Sequence, residues 1–214
     1  MKGYLLFIDT ETSGIPKRWN RPFSDQKNWP SVIQLAWIVY LLDGTEVKRV
    51  SKYIFEEDIV ISPDSQKVHG ISTAHLKEQG DRRKNVLRKL AYDIKKYSPL
   101  IIGHFLELDI QVLSADFYRA QLHNPFLDQT FFCTMLESKK YALNPVVGYL
   151  RLVQLHEELF DERPLDLHEA ERDAEITARC FFELWRRNDI TEQDFIKQQS
   201  QFLQKLNFAD KLKV

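Results

Sequence analysis

Apolar residues along the chain fall into two kinds of run. Tyr4–Ile8 is almost continuously apolar and predicts a central strand buried on both faces. Val32–Leu42 and Glu46–Phe55 are two further strand-like runs, and Asp43-Gly44 between them is a hairpin signal. Ser72–Gln79 predicts a short helix stopped by Gly80. Arg82–Tyr97 carries Val86, Leu87, Leu90, Ala91 and Ile94 at helical spacing, and Pro99 ends it. Leu100–Ile102 predicts another buried strand, and Glu107–Leu122 a helix. Ala170–Trp185 predicts a second long helix with Ala170, Ala174, Thr177, Ala178, Phe181 and Trp185 on one face. Asp166 is placed to cap it, with Glu169 three residues on completing a capping box. The order strand, hairpin, helices, strand, helix, helix predicts a three-layer α/β fold with a mixed central sheet flanked by helices. Residues 188–214 are polar and amphipathic, so the expected organisation is one domain over 1–187 and a helical extension over 188–214.

Composition narrows the class. A chain of 214 residues, 43% hydrophobic and 29% charged, is long enough for one domain with a full core. A formal net charge of −1 argues against a passive nucleic-acid-coating protein, which would be more basic. It leaves room for an enzyme whose positive charge comes from bound metal. Cys133 and Cys180 have no metal-type spacing and read as free thiols in a reducing compartment. The first apolar run is too short for a membrane span or a leader, so no membrane partner is expected and the expected location is the cytoplasm.

Acids recur where a buried framework tolerates them poorly. Asp9 and Glu11 directly follow the first predicted strand, where a charge is costly unless paired or bound to metal. Two residues apart on an extended chain, both can reach one ion; an acidic turn without a ligand is the plainer alternative. Asp109 lies near the start of a predicted helix, and Asp173 is on an otherwise inward helix face. His168, five residues earlier, would be about 140° away on a helix, so it is expected in the flanking loop or first turn. Four such carboxylates make a hard, oxygen-rich site suited to Mg²⁺ or Mn²⁺. The segment from Ile15 to Pro30 interleaves Lys17, Arg18, Arg21 and Lys27 with Trp19, Phe23 and Trp29. Either it grips a nucleic acid strand, with Lys17, Arg18 and Trp19 as contacts, or it is a solvated insertion whose aromatic residues cover the core.

These residues resemble a known family. Phe7-Ile8-Asp9-Thr10-Glu11-Thr12-Ser13-Gly14 is similar to the first motif of the DnaQ-like (DEDDh) 3′→5′ exonucleases, which include the proofreading epsilon subunit of bacterial replicative DNA polymerase. Gly103-His104 followed by Asp109 resembles the second motif, and His168 with Asp173 the third. Val68-His69-Gly70-Ile71-Ser72 is similar to a segment that helps hold the terminal nucleotide. Trp29-Pro30 leading into Gln34-Leu35-Ala36-Trp37 resembles an epsilon-like subgroup. The resemblance spans roughly residues 4–186 and implies a ribonuclease H-like fold. It implies two divalent ions, Mg²⁺ or Mn²⁺, held about 4 Å apart by Asp9, Glu11, Asp109 and Asp173. His168 would be the general base, since histidine exchanges protons near neutral pH. Thr12, His69 and Leu108 would contact the substrate. The products would be nucleoside 5′-monophosphates, with DNA favoured over RNA and a DNA polymerase subunit as the implied protein partner. The family usually has Asn at the position of Phe105 and often Phe at that of Leu108; neither departure removes a ligand, and both bear on substrate preference. His104 reads as structural, and His75, His123 and His156 as surface or packing residues. Three rivals stand beside this reading. An exoribonuclease of the same family is one. A haloacid dehalogenase-type phosphatase would need Asp where Glu11 stands. A non-catalytic binding module would not need the full acid set.

Overall fold

The structure, a computed structural model, describes residues 3–142, 148–164 and 168–211. β1 (Tyr4–Thr12) pairs antiparallel with β2 (Val32–Leu41), which pairs antiparallel with β3 (Glu46–Tyr53). Asp43 and Gly44 make the turn: Gly44 takes φ 87°, and the Asp43 carboxylate accepts from the Thr45 amide. On its other side β1 pairs parallel with β4 (Leu100–Gly103), and β4 parallel with β5 (Thr130–Cys133). The result is a mixed five-stranded sheet of order β3-β2-β1-β4-β5, flanked by helices in the ribonuclease H-like manner. Parallel neighbours need long crossovers, and helices α3 (Arg83–Tyr97) and α4 (Leu106–Arg119) are part of them.

Alternation along β1 divides the core. Leu6 and Ile8 join α3 and α4 through Val86, Leu90, Ile110 and Leu113. Leu5 and Phe7 join α6 (Leu152–Phe160) and α7 (Ala170–Arg186) through Leu155, Ile176 and Phe181. A strand buried on both faces has no polar side to alternate, which is why Tyr4–Ile8 reads as unbroken apolar sequence. β4 meets α4 closely: a Cβ on Gly103 would lie 2.8 Å from Leu106 Cδ1 and 3.2 Å from the Ile8 carbonyl oxygen. A larger residue there would force Leu106 to shift.

Several bounds differ from the pattern-based expectation. β1 runs through Asp9 and Glu11 to Thr12 instead of ending before them, because β2 pairs with it as far as Val32. α4 begins at Leu106 and stops at Arg119. α7 is capped by Glu169 itself, whose carboxylate accepts from the Arg172 amide; Asp166 lies outside the described residues. α2 (Thr73–Gln79) forms where a short helix was expected, whereas α1 (Pro63–His69), β5, the one-turn α5 (Thr134–Glu137) and α6 had no counterpart in the pattern.

The segment after 188 forms α8 (Glu192–Leu206) and the short α9 (Phe208–Lys211). Phe202 and Leu206 of α8 enter the same cluster as α3 and α4. Gln198 and Gln199 cover the outer edge of β5, accepting from the Cys133 and Phe131 amides at 2.8 Å each. That satisfies an edge which would otherwise be open. The loop of residues 15–30 is anchored by buried Phe23 and Trp29 packed on Ala115. The Phe23 amide donates to the Lys211 carbonyl at 2.9 Å, so α9 also holds this loop. Among the described residues no helix is long and apolar enough to cross a membrane.

Candidate active site

The last turns of β1 gather the acids. By strand alternation Asp9 and Glu11 share the face of Leu5 and Phe7, toward α7, while Thr10 points to the α4 side. Thr10 Oγ1 donates to Asp109 Oδ1 at 2.7 Å, fixing a carboxylate that α4 carries in its first turn. α7 brings Asp173, also in its first turn. His168 lies just outside that helix in the left-handed conformation, φ 67°, and its amide donates to Asp173 Oδ2 at 3.3 Å. Glu11, His168 and Asp173 each place one potential ligand atom within 4.8 Å of the others.

The electrostatics of this cluster are unfavourable without a cation. Burial, then Asp109, Asp173, Glu11 and Glu169, hold the Asp9 carboxyl well above the usual carboxylate range. Burial and the neighbouring acids push Glu11 up to about 8. Burial pushes Asp109 to about 7 against the bond from Thr10, and Asp173 to about 6 against the nearby His168. Asp173 Oδ1 is buried with no hydrogen-bond partner. An orphaned carboxylate oxygen among repelling acids fits a divalent metal site built mainly on oxygen donors.

Two contributors were not singled out by the sequence. Gln34 pairs with Glu11 across β1 and β2, is buried, and donates through Nε2 to Glu169 Oε1. Its Oε1 accepts from the Ala170 amide at 3.2 Å, tying the start of α7 to the sheet. The available signal was a lone amide inside the apolar run Val32–Val39.

The other expected residues are distributed around this centre. His69 ends α1; its Nδ1 accepts from the Ile71 amide at 3.0 Å, so the neutral ring carries its proton on Nε2, which is buried and unpaired. Burial lowers its pKa, the Thr12 backbone opposes this, and His168 adds to it, which places His69 beside both residues. Thr12 Oγ1 donates to the Gly14 carbonyl at 2.6 Å. Leu108 is half-buried against the core. Lys17, Arg18 and Trp19 are exposed on the loop, which Asn28 braces by bonding both the amide and the carbonyl of Arg18 at 2.9 Å. His104 is structural: Thr134 Oγ1 and the Leu150 carbonyl occupy its two nitrogens, and burial pushes its pKa down to about 4. His156 is buried packing and His75 lies edge-on to Tyr53. Cys133 and Cys180 are buried free thiols.

With this geometry in place, comparisons give a consistent picture. A family model described as exonuclease (RNase_T) matches residues 6–181. Comparison with curated protein sequences gives no match. Among solved structures, E. coli exonuclease I in complex with a dA16 oligonucleotide superposes with a TM-score of 0.71 at 18% identity, over 92% of this chain and 43% of that one. The zinc-bound form of the E. coli exonuclease I–single-stranded DNA complex gives 0.67 at 19% identity, over 87% and 41%. A 3′-exonuclease described as recognising the 3′ end of histone mRNA stem-loop gives 0.64 at 16% identity, over 87% and 83%. At these identities the likeness is one of fold, and the chain spans less than half the length of the exonuclease I chains. The family model covers most of the chain and runs from β1 into α7, the elements that carry Asp9, Glu11, Asp109 and Asp173: the chain belongs to the exonuclease family.

Proposed function

We propose that this member of the exonuclease family is metal-dependent and removes nucleoside 5′-monophosphates from the 3′ end of a nucleic acid strand, single-stranded DNA before RNA. The observation that carries the reading is the convergence of Glu11, His168 and Asp173 within 4.8 Å on a family-matched framework. Asp9, Glu11, Asp109 and Asp173 would hold two divalent ions. Bound there, such ions lower the pKa of a water and stabilise the attacking and leaving oxygens. His168 takes the proton from the attacking water as the water oxygen bonds to phosphorus. The bond to the 3′-oxygen of the preceding nucleotide breaks, and that oxygen takes a proton from solvent. Thr10 and Gln34 keep the carboxylate-bearing elements in register, and His69, beside Thr12, would contact the terminal nucleotide.

A groove of about 680 Å³ leaves Ser13 and Gly14 between the 15–30 loop and Val60. Lys17, Lys27 and Asn28 line it, so it offers a path with phosphate-binding character for the strand. DNA is favoured by the likeness to exonuclease I bound to single-stranded DNA. RNA is the second reading, because the histone mRNA 3′-exonuclease is matched over 83% of its own length. Digestion of matched DNA and RNA, single-stranded, blunt and with a mismatched 3′ end, tests both points in Mg²⁺ or Mn²⁺. The expected order is single strand, mismatched end, blunt end, with DNA faster than RNA. Faster attack on blunt duplex rejects the single-strand reading, and faster attack on RNA transfers the activity to the second one.

A further inference from the structure

Two large, partly exposed aromatic side chains meet on segments that continue from the carboxylate-bearing elements. Trp19 and Phe105 are each 38% exposed, with ring centroids 5.9 Å apart and planes at 55°. Among the described residues they are the only Trp and Phe in the exposed class. Rings of this size gain most by burial, so an exposed pair in mutual contact fits a contact surface better than a packing role. Phe105 also holds φ 65° and ψ 35°, a left-handed conformation that bulky residues seldom adopt. A side chain kept there at the expense of strain points to use.

Chain connectivity ties both rings to site-bearing elements. Phe105 lies four residues before Asp109, one turn away at the start of α4, and Trp19 follows Glu11 by eight residues in the loop leaving β1. Lys17 and Arg18 adjoin Trp19, and among the described residues neither has an acidic partner, whereas Arg21 is paired with Asp25 at 2.8 Å. An aromatic surface flanked by unneutralised cations has the chemistry of a nucleobase and its phosphates.

We propose that Trp19 and Phe105 form a composite platform that stacks one unpaired nucleobase of the strand, while Lys17 and Arg18 meet the adjoining phosphates. The proposal rests on the exonuclease reading and deepens it: the protein grips a base as well as a backbone. Because the rings diverge by 55°, a base lying flat on one meets the other with its edge. A base inside a duplex has both faces covered by its neighbours, so the platform admits single-stranded ends and excludes matched duplex. Stacking is tolerant of sequence, so every base is accepted.

The test is anisotropy of a fluorescein-labelled single strand, without metal so that nothing is cut, comparing intact strands with strands abasic at each of the last positions. The wild type is expected to bind the intact strand about 10-fold more tightly than the strand abasic at one position. Trp19→Ala combined with Phe105→Asn should remove that preference, so intact and abasic strands bind alike. Asn is enriched in the left-handed conformation and keeps the turn. Trp19→Phe should restore most of the preference. Wild-type protein indifferent to every abasic position, or lacking strand binding, overturns the platform, as does a double variant that keeps the preference. The wild-type comparison stands even if the double variant fails to fold. Mononucleotide release by the same wild-type preparation in Mg²⁺ or Mn²⁺ is read in parallel. Its absence sinks the exonuclease reading, whereas base-independent binding with release intact sinks only the platform.

Discussion

Asp9 shows the conflict on which the site depends. Its carboxyl is raised by burial and by four acids at once, so in the metal-free protein its charge works against the fold. Asp9→Asn keeps the shape and removes the charge. It is expected to raise the metal-free melting temperature at pH 8 and to abolish mononucleotide release; retained cleavage with unchanged melting contradicts a ligand role. For His168→Ala, turnover is expected to fall about 10²–10⁴-fold while metal affinity is nearly kept. Because His168 stands within 4.8 Å of Glu11 and Asp173, titration of metal binding decides the matter: a comparable loss of affinity makes it a ligand instead of a base. The acids at this centre were legible in the sequence because a charge at a strand end or on an inward helix face stands out. Glu169 and Gln34 did not, because each looks ordinary alone, one as part of a cap and one as a strand residue. Their bond joins positions 135 residues apart, and no local pattern encodes that.

At the scale of elements, β1 was legible as an unbroken apolar run and α3, α4 and α7 by their helical period. Among short elements, β4 was legible behind the breaker Pro99 and α2 ahead of Gly80, whereas α1, β5 and α6 were not. β5 is four residues long, and the edge it exposes is satisfied by glutamines of α8 instead of by a further strand. The 15–30 loop has one half in the core and one half in solvent. Phe23 and Trp29 are core, held by α9, while Lys17, Arg18 and Trp19 face solvent. The two halves separate by mutation. Phe23→Ala is expected to cost about 3–5 kcal/mol in denaturant unfolding. Changing Lys17, Arg18 and Arg21 together to Ala should leave unfolding nearly unchanged, raise KM for long strands and flatten its salt dependence. The effect should shrink as the strand shortens; equal losses on long strands and on a p-nitrophenyl ester of thymidine monophosphate would make the cations merely solvated.

For the whole molecule, the acid cluster ties stability to pH and metal. Glu11 near 8 and Asp109 near 7 bind protons in the folded state that the unfolded chain has already released. The folded state therefore holds more protons across this range, and stability falls as pH rises. His104, held neutral by burial near 4, opposes this only below its ordinary range near pH 6.5, and Lys211, pushed down by burial to about 8, offsets part of it toward pH 8. The several acids outweigh that one amine between pH 7 and 8. Metal-free melting temperature is expected to drop over that interval, and added Mg²⁺ or Mn²⁺ to raise it more at pH 8 than at pH 7. A metal-free protein that grows more stable from pH 7 to 8 contradicts the description of the cluster. Directional, metal-dependent cleavage is the central property proposed for this protein, and a single strand labelled on its 3′-terminal nucleotide measures it most directly. The expected first labelled product is the nucleoside 5′-monophosphate, formed with Mg²⁺ or Mn²⁺, absent in chelator and absent with Asp173→Asn; labelled oligonucleotides appearing first, or equal yield in chelator, would contradict it.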